Sequence, residues 1–211
     1  MDRMEVFYKK VNGGYFYFIG VATSIVSIVI SIALYTAGGA TYSILTNYIS
    51  DLGALSTPNN AYLAFSTGLI INSAISPFGW FFLVILFQNK DSKQKKTIQY
   101  WVLANIITTI GSFMVALLPQ DTVLIPHVIA AFAVFIFGTL SYLIFGIITL
   151  RADKIANYHS IPGFFLAAIS IIFMMSWVFN NESIMRFFEW LVLFGGWAFG
   201  IYLGVFCLKI K

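Results

Sequence analysis

Six near-continuous apolar runs divide this chain, at 15–36, 61–87, 98–118, 125–150, 160–179 and 185–208. Each is long enough to cross a bilayer, because about 20 residues of helix rising 1.5 Å apiece cover roughly 30 Å of hydrocarbon. Hydrocarbon offers backbone N–H and C=O groups no partner, so a spanning segment is either a helix or a strand of a closed barrel. These runs are too long and too evenly apolar for the alternating strands of a barrel. Composition agrees: 9% of residues are charged, where a soluble domain carries about 25%. The expected fold is therefore all-α, a polytopic six-transmembrane helix bundle making one domain over residues 1–211.

The basic residues orient it. Arg3, Lys9 and Lys10 precede the first run, and Lys90, Lys93, Lys95 and Lys96 lie between the second and third. Arg151 and Lys154 separate the fourth and fifth, and Lys209 and Lys211 follow the sixth. These connections alternate and so share one side; Arg186 is the only basic residue elsewhere. The excess of Lys and Arg on cytoplasmic loops then predicts a multi-pass cell-membrane protein with both termini in the cytoplasm. The net charge of +4 orients helices and is no footprint for nucleic acid. The first run exceeds the roughly 7–15 apolar residues of a secretory signal, so it reads as a retained span. Cys207 is the single cysteine and can form no intrachain disulfide.

Asp51, Asp121, Glu182 and Glu189 fall on the opposite, outer side. The outer loop 37–60 is far longer than the usual helix connection of about 2–8 residues. It carries Tyr42, Ile44, Leu45, Tyr48, Ile49, Leu52 and Leu55, which need cover. It is expected to fold back over the bundle as a short helix or re-entrant lid. Gly53 would supply a left-handed turn or a close approach, and Ser50 and Asp51 would cap it. Thr57-Pro58 marks the opening of the second span, and Pro77 falls inside it, freeing the carbonyl of Ser73.

Candidate site residues gather on this side. Ser50, Asp51, Asn60, Asp121, His127, Arg186 and Glu189 lie at the outer rim, with Asn72 deeper in the second span. Ionisable groups at membrane depth are functional candidates by default. Two readings use them chemically. In the first, Arg186 meets an anionic lipid headgroup while Asp51, Asp121, His127 and Glu189 fix its polar atoms. In the second, His127 is a general base, the carboxylates are acids or ligands, and Ser50 is a nucleophile, which requires His127 within about 3 Å of its partner. A third treats the cluster as a structural clasp, with Arg186 paired to Glu189 three residues on. Asn105, Thr108 and Ser112 form a polar stripe on the third span, expected to bond between helices. No phosphate-binding glycine loop, dinucleotide fingerprint, H-E-x-x-H or C-x-x-C is present, and no cofactor is expected. An oxygen-rich metal set from Asp51, Asp121, His127 and Glu189 stays open, suited to Mg, Ca or Mn. Gly196, Gly200 and Gly204 repeat at a spacing of four, either for contact within the chain or for a seam between two copies. Membrane lipids are the expected partners.

The order and spacing of Tyr48-Ile-Ser-Asp-Leu-Gly53, Asn60 with Phe65 and Gly68, Leu118-Pro-Gln-Asp121 with His127, and Phe188-Glu189 carry a resemblance. In these features the chain resembles the domain of unknown function 998 family of polytopic membrane proteins. That family is distantly similar to the damage-regulated autophagy modulator family, whose relatives are linked to lipid and glycolipid handling. The resemblance implies the architecture and the place of the site, and no reaction.

Overall fold

The computed structural model describes residues 2–90, 94–153, 155–179 and 181–210. Lys93, Lys154 and Lys211, used above to orient the chain, lie outside the described residues, as do the side chains of Arg3 and Lys90. The described residues are helical and short turns, with no strand among them. Helix α1 is Asp2–Lys10, and the spans are α2 Gly14–Ala37, α3 Ala61–Lys90, α4 Lys95–Leu117, α5 Leu124–Arg151, α6 Ile161–Val178 and α7 Glu182–Lys209. All six expected spans are present with ends within a few residues of the apolar runs. Their outer flanks stay apolar: Val29, Ile129 and Phe165 are 59%, 65% and 66% exposed. Only hydrocarbon makes such a surface stable.

Helix α1 was not anticipated. It is nine residues long and polar on average, so no apolar run betrays it. The Tyr8 hydroxyl donates to the Phe78 carbonyl at 2.6 Å and ties α1 to the far end of α3.

Each span packs on its sequence neighbours, and α7 closes onto α2, so the six helices form a ring. Small residues allow the closing contact. A Cβ on Gly200 would lie 2.6 Å from Val21, one on Gly204 2.7 Å from Phe18, and one on Gly14 2.5 Å from the Gly204 carbonyl. The close approach expected of Gly200 and Gly204 is thus made within the chain. Trp197 adds a hydrogen bond from its indole to Ser24 Oγ at 2.9 Å, and Asn12 one to the Cys207 carbonyl at 3.0 Å.

At the end carrying the termini, Phe87, Trp101, Phe145, Phe199, Leu203 and Phe206 fill the ring and make a closed floor. At the other end a second cluster of Ile28, Ile49, Leu52, Phe65 and Trp190 lies under the 38–60 loop. Between floor and roof the ring is hollow. Pro77 does not break α3, and the Ser73 carbonyl it frees accepts a long, 3.5 Å bond from Ser76 Oγ. The stripe on α4 departs from expectation. Asn105, Thr108 and Ser112 bond the carbonyls four residues back in their own helix, of Trp101, Ala104 and Thr108. No neighbouring helix crosses the hollow to meet them.

Candidate functional site

The roof is an irregular loop fastened by carboxylates. After α2 the chain turns at Gly39, whose φ of +85° favours glycine. It then forms a 3-10 turn over Ile49–Gly53 and another over Pro58–Asn60. Leu52 is fully buried. Gly53 serves as a close approach: a Cβ there would sit 2.8 Å from the Phe65 ring. It is not left-handed, and positive φ falls instead on Asn59 and Asn60. Asn60 is exposed at this turn and does not join the other candidates. Thr57 Oγ1 accepts from Tyr62 N at 3.0 Å and starts α3.

Glu189, on the second turn of α7, accepts the Ile49 amide at 2.8 Å on its Oε2. Asp51 accepts the Tyr48 amide at 2.9 Å and the Gln120 side chain, also at 2.9 Å. Asp121, between α4 and α5, accepts Leu55 N at 3.0 Å and Ser56 N at 2.8 Å. The Trp190 indole donates to the Asn47 carbonyl at 3.1 Å. Three acids from different parts of the chain therefore grip one loop by its backbone, and each such bond is the strong, charge-assisted kind when the carboxylate is ionised.

For Asp121 burial opposes ionisation, but the amides of Ser56 and Leu55 favour it more, and the carboxyl titrates below its ordinary value of 3.8. The sign follows from linkage: a depressed carboxyl stabilises the fastened loop above its unfolded value, and that help is lost as pH falls through the folded one. Amide exchange at Leu55 and Ser56, corrected for intrinsic rate, is expected to lose protection below the ordinary Asp range. An Asp121→Asn protein, which keeps an acceptor oxygen but cannot titrate, should show no such step.

Arg186 meets none of Asp51, Asp121 or Glu189. It pairs with Glu182 one turn earlier, and its guanidinium lies 5.2 Å from the centre of the Tyr48 ring. That geometry steadies the loop by a cation–π contact. It leaves no headgroup site on Arg186 facing the hollow.

His127 is buried, and its Nδ1 lies 2.6 Å from the Leu118 carbonyl. A carbonyl only accepts, so Nδ1 carries a proton and donates it to Leu118. No carboxylate or hydroxyl hydrogen-bonds His127 among the described residues. The base, acid and Ser50 nucleophile arrangement is therefore not assembled here. Nor do three or more His, Cys, Asp or Glu gather at metal-binding distance among the described residues.

Beneath the roof lies a cavity of about 540 Å³. Four of the eight candidates line it: Ser50, His127 and Glu189 at the roof, and Asn72 below. Asp51, Asn60, Asp121 and Arg186 do not. Ser73, Ser141 and Tyr142 also line it and were missed. A Ser-Tyr pair in the middle of an otherwise apolar run was the available signal for the last two. The lining reaches the flank at Leu124, opening α5, and Trp177, near the end of α6, which are 60% and 38% exposed. A shallow apolar groove between α5 and α6, lined by Val128, Phe132 and Met174 among others, adjoins it. The lining thus reaches the lipid-facing flank of the bundle where α5 begins and α6 ends.

A family model described as "Protein of unknown function (DUF998)" matches residues 18–205. No curated protein and no solved structure matches the chain.

Proposed function

We propose that this chain, which belongs to the DUF998 family of proteins of unknown function, binds a lipid or similar amphiphile inside its helix ring. The observation that carries the reading is the hollow itself: a mostly apolar cavity of about 540 Å³ with an aromatic floor, a fastened lid and a lining that reaches lipid-facing side chains. Apolar cavities of this size with a few inward polar groups are the ordinary form of a small-molecule site. A lining that reaches this flank suits a ligand that arrives from the bilayer and never crosses water. The acids act as fasteners of the lid, and the ligand's place is beneath them. With Lys and Arg clustered at the end carrying the termini, the lid faces outward from the cytoplasm of a cell membrane.

Filling the cavity tests this. Gly196 lines it, and a Cβ there would meet only the Tyr142 hydroxyl, at an ordinary 3.7 Å. Gly196→Phe should therefore fold, occupy the space and lose amphiphile that co-purifies with the wild type, read by native mass spectrometry. A folded Gly196→Phe protein that retains the same lipid in the same amount would overturn the proposal.

A further inference from the structure

We infer that the middle of the cavity is built for an uncharged oxygen, the hydroxyl or carbonyl head of a neutral amphiphile, and that phosphate-bearing heads are excluded. This rests on the cavity being a ligand site.

The first observation is charge. Among the described residues, no Lys or Arg lines the cavity. A phosphate brought into this lining would lose its water and find no cation, which costs far more than apolar contact returns. The ionisable side chains that do line it, Glu189 and His127, stand at the roof, where the Ile49 amide and the Leu118 carbonyl hold them.

The second is a set of polar side chains that the protein leaves without partners. Asn72 lines the cavity, and no group among the described residues hydrogen-bonds its amide. The Ser73 hydroxyl is buried with no partner. Ser141 and Tyr142, on α5, also line the cavity with no hydrogen-bond partner among the described residues. Ser73 and Ser141 are 6% and 7% exposed. A buried amide or hydroxyl left unpaired costs several kilocalories in an apolar medium, so such groups in native proteins have partners.

The third is placement. At 1.5 Å per residue, Asn72 lies roughly 17 Å along α3 from its start and Tyr142 roughly 27 Å along α5, both deep in the hydrocarbon layer. Asn72 sits against Gly20, where a Cβ would come within 2.7 Å of its Oδ1. The Tyr142 hydroxyl comes to contact distance of Gly196 on α7, 3.7 Å from where a Cβ would stand. Asn105 of α4, between these helices, has its own NH₂ tied to the Trp101 carbonyl and keeps an oxygen over. Amide N–H and hydroxyl groups at different depths of the lining, with an acceptor oxygen on the wall between them, match the neutral oxygen of a hydroxyl or carbonyl head.

The test uses the full chain in detergent with three probes of one chain length: tridecane, tridecanol and tridecyl phosphate, their occupancy read by native mass spectrometry. Tridecanol should bind the wild type more tightly than tridecane, and tridecyl phosphate no better than tridecane. Asn72→Leu should weaken tridecanol about fivefold, the worth of one net hydrogen bond, and leave tridecane unchanged. The same substitution should raise the melting temperature of ligand-free protein, since it removes an unpaired amide from hydrocarbon. Ser73→Ala and Ser141→Ala, which only trim an oxygen, supply the comparison if Asn72→Leu does not fold. If tridecane matches tridecanol, or tridecyl phosphate binds best, the neutral-oxygen assignment is overturned while the cavity remains a ligand site. If none of the three binds, both readings fall.

Discussion

Gly163→Val is expected to destabilise the bundle by about 3 kcal/mol or more, at or beyond the upper end of measured overpacking costs. Gly163 stands in the first turn of α6, where a Cβ would lie 2.7 Å from the Tyr142 carbonyl oxygen and 3.0 Å from the Gly146 nitrogen. Both are backbone atoms of α5, so no rotamer change can make room and the helices must part. Gly195 offers the contrast. Its Cβ would meet the end of the Leu166 side chain at 2.6 Å, which can turn aside, so Gly195→Ala should cost much less. The measurement is the unfolding transition in detergent for the two variants against wild type. A Gly163→Val protein that melts with wild type would mean that α5 and α6 do not approach this closely.

Glu189→Ala is expected to release the roof. The residue is 9% exposed and its Oε2 is the acceptor for the Ile49 amide, the strand of loop that carries Leu52 into the roof cluster. Truncation leaves that N–H buried and unpaired, at about 1–3 kcal/mol. Converted to an opening equilibrium, this raises the exchange rate of the Ile49 amide by roughly five- to a hundredfold. Glu189→Gln keeps an acceptor oxygen in nearly the same place and should exchange close to wild type. The ligand should follow the loop, with Glu189→Ala losing co-purified lipid faster than Glu189→Gln. Equal protection in Ala and Gln variants would show that the carboxylate is not what holds the turn.

What was legible in the sequence follows from what hydrocarbon enforces. A run such as 125–150 has only one stable state in a bilayer, so the spans stood out without any knowledge of packing. The roof was legible in part for a related reason: apolar Ile49 and Leu52 in a long connection had to find cover and are buried, whereas Ile44, Leu45 and Leu55, expected to be covered as well, stay exposed. The pairing of Arg186 was misread, although Glu182 four residues earlier is the favoured geometry for a helical ion pair. Helix α1 was missed because nine polar-leaning residues have no period long enough to read. The hollow was not legible at all. It depends on which way Asn72 and Tyr142 face, and that is settled by Gly20 and Gly196 on other helices, far off in the chain. Equally, the spacing of Gly200 and Gly204 announces a close neighbour but cannot say that the neighbour is Val21 and Phe18 of the same molecule.

The contact that shuts the ring joins the first of these six spans to the sixth, α2 to α7. During synthesis, then, five of these spans are only an open trough, its mostly apolar inner wall and few polar groups facing lipid or neighbouring helices. The chamber exists only once Gly200 and Gly204 have slid against Val21 and Phe18. A ribosome that stops short of α7 leaves no chamber behind, and on the proposed function the docking of α7 is the step that would enclose an amphiphile.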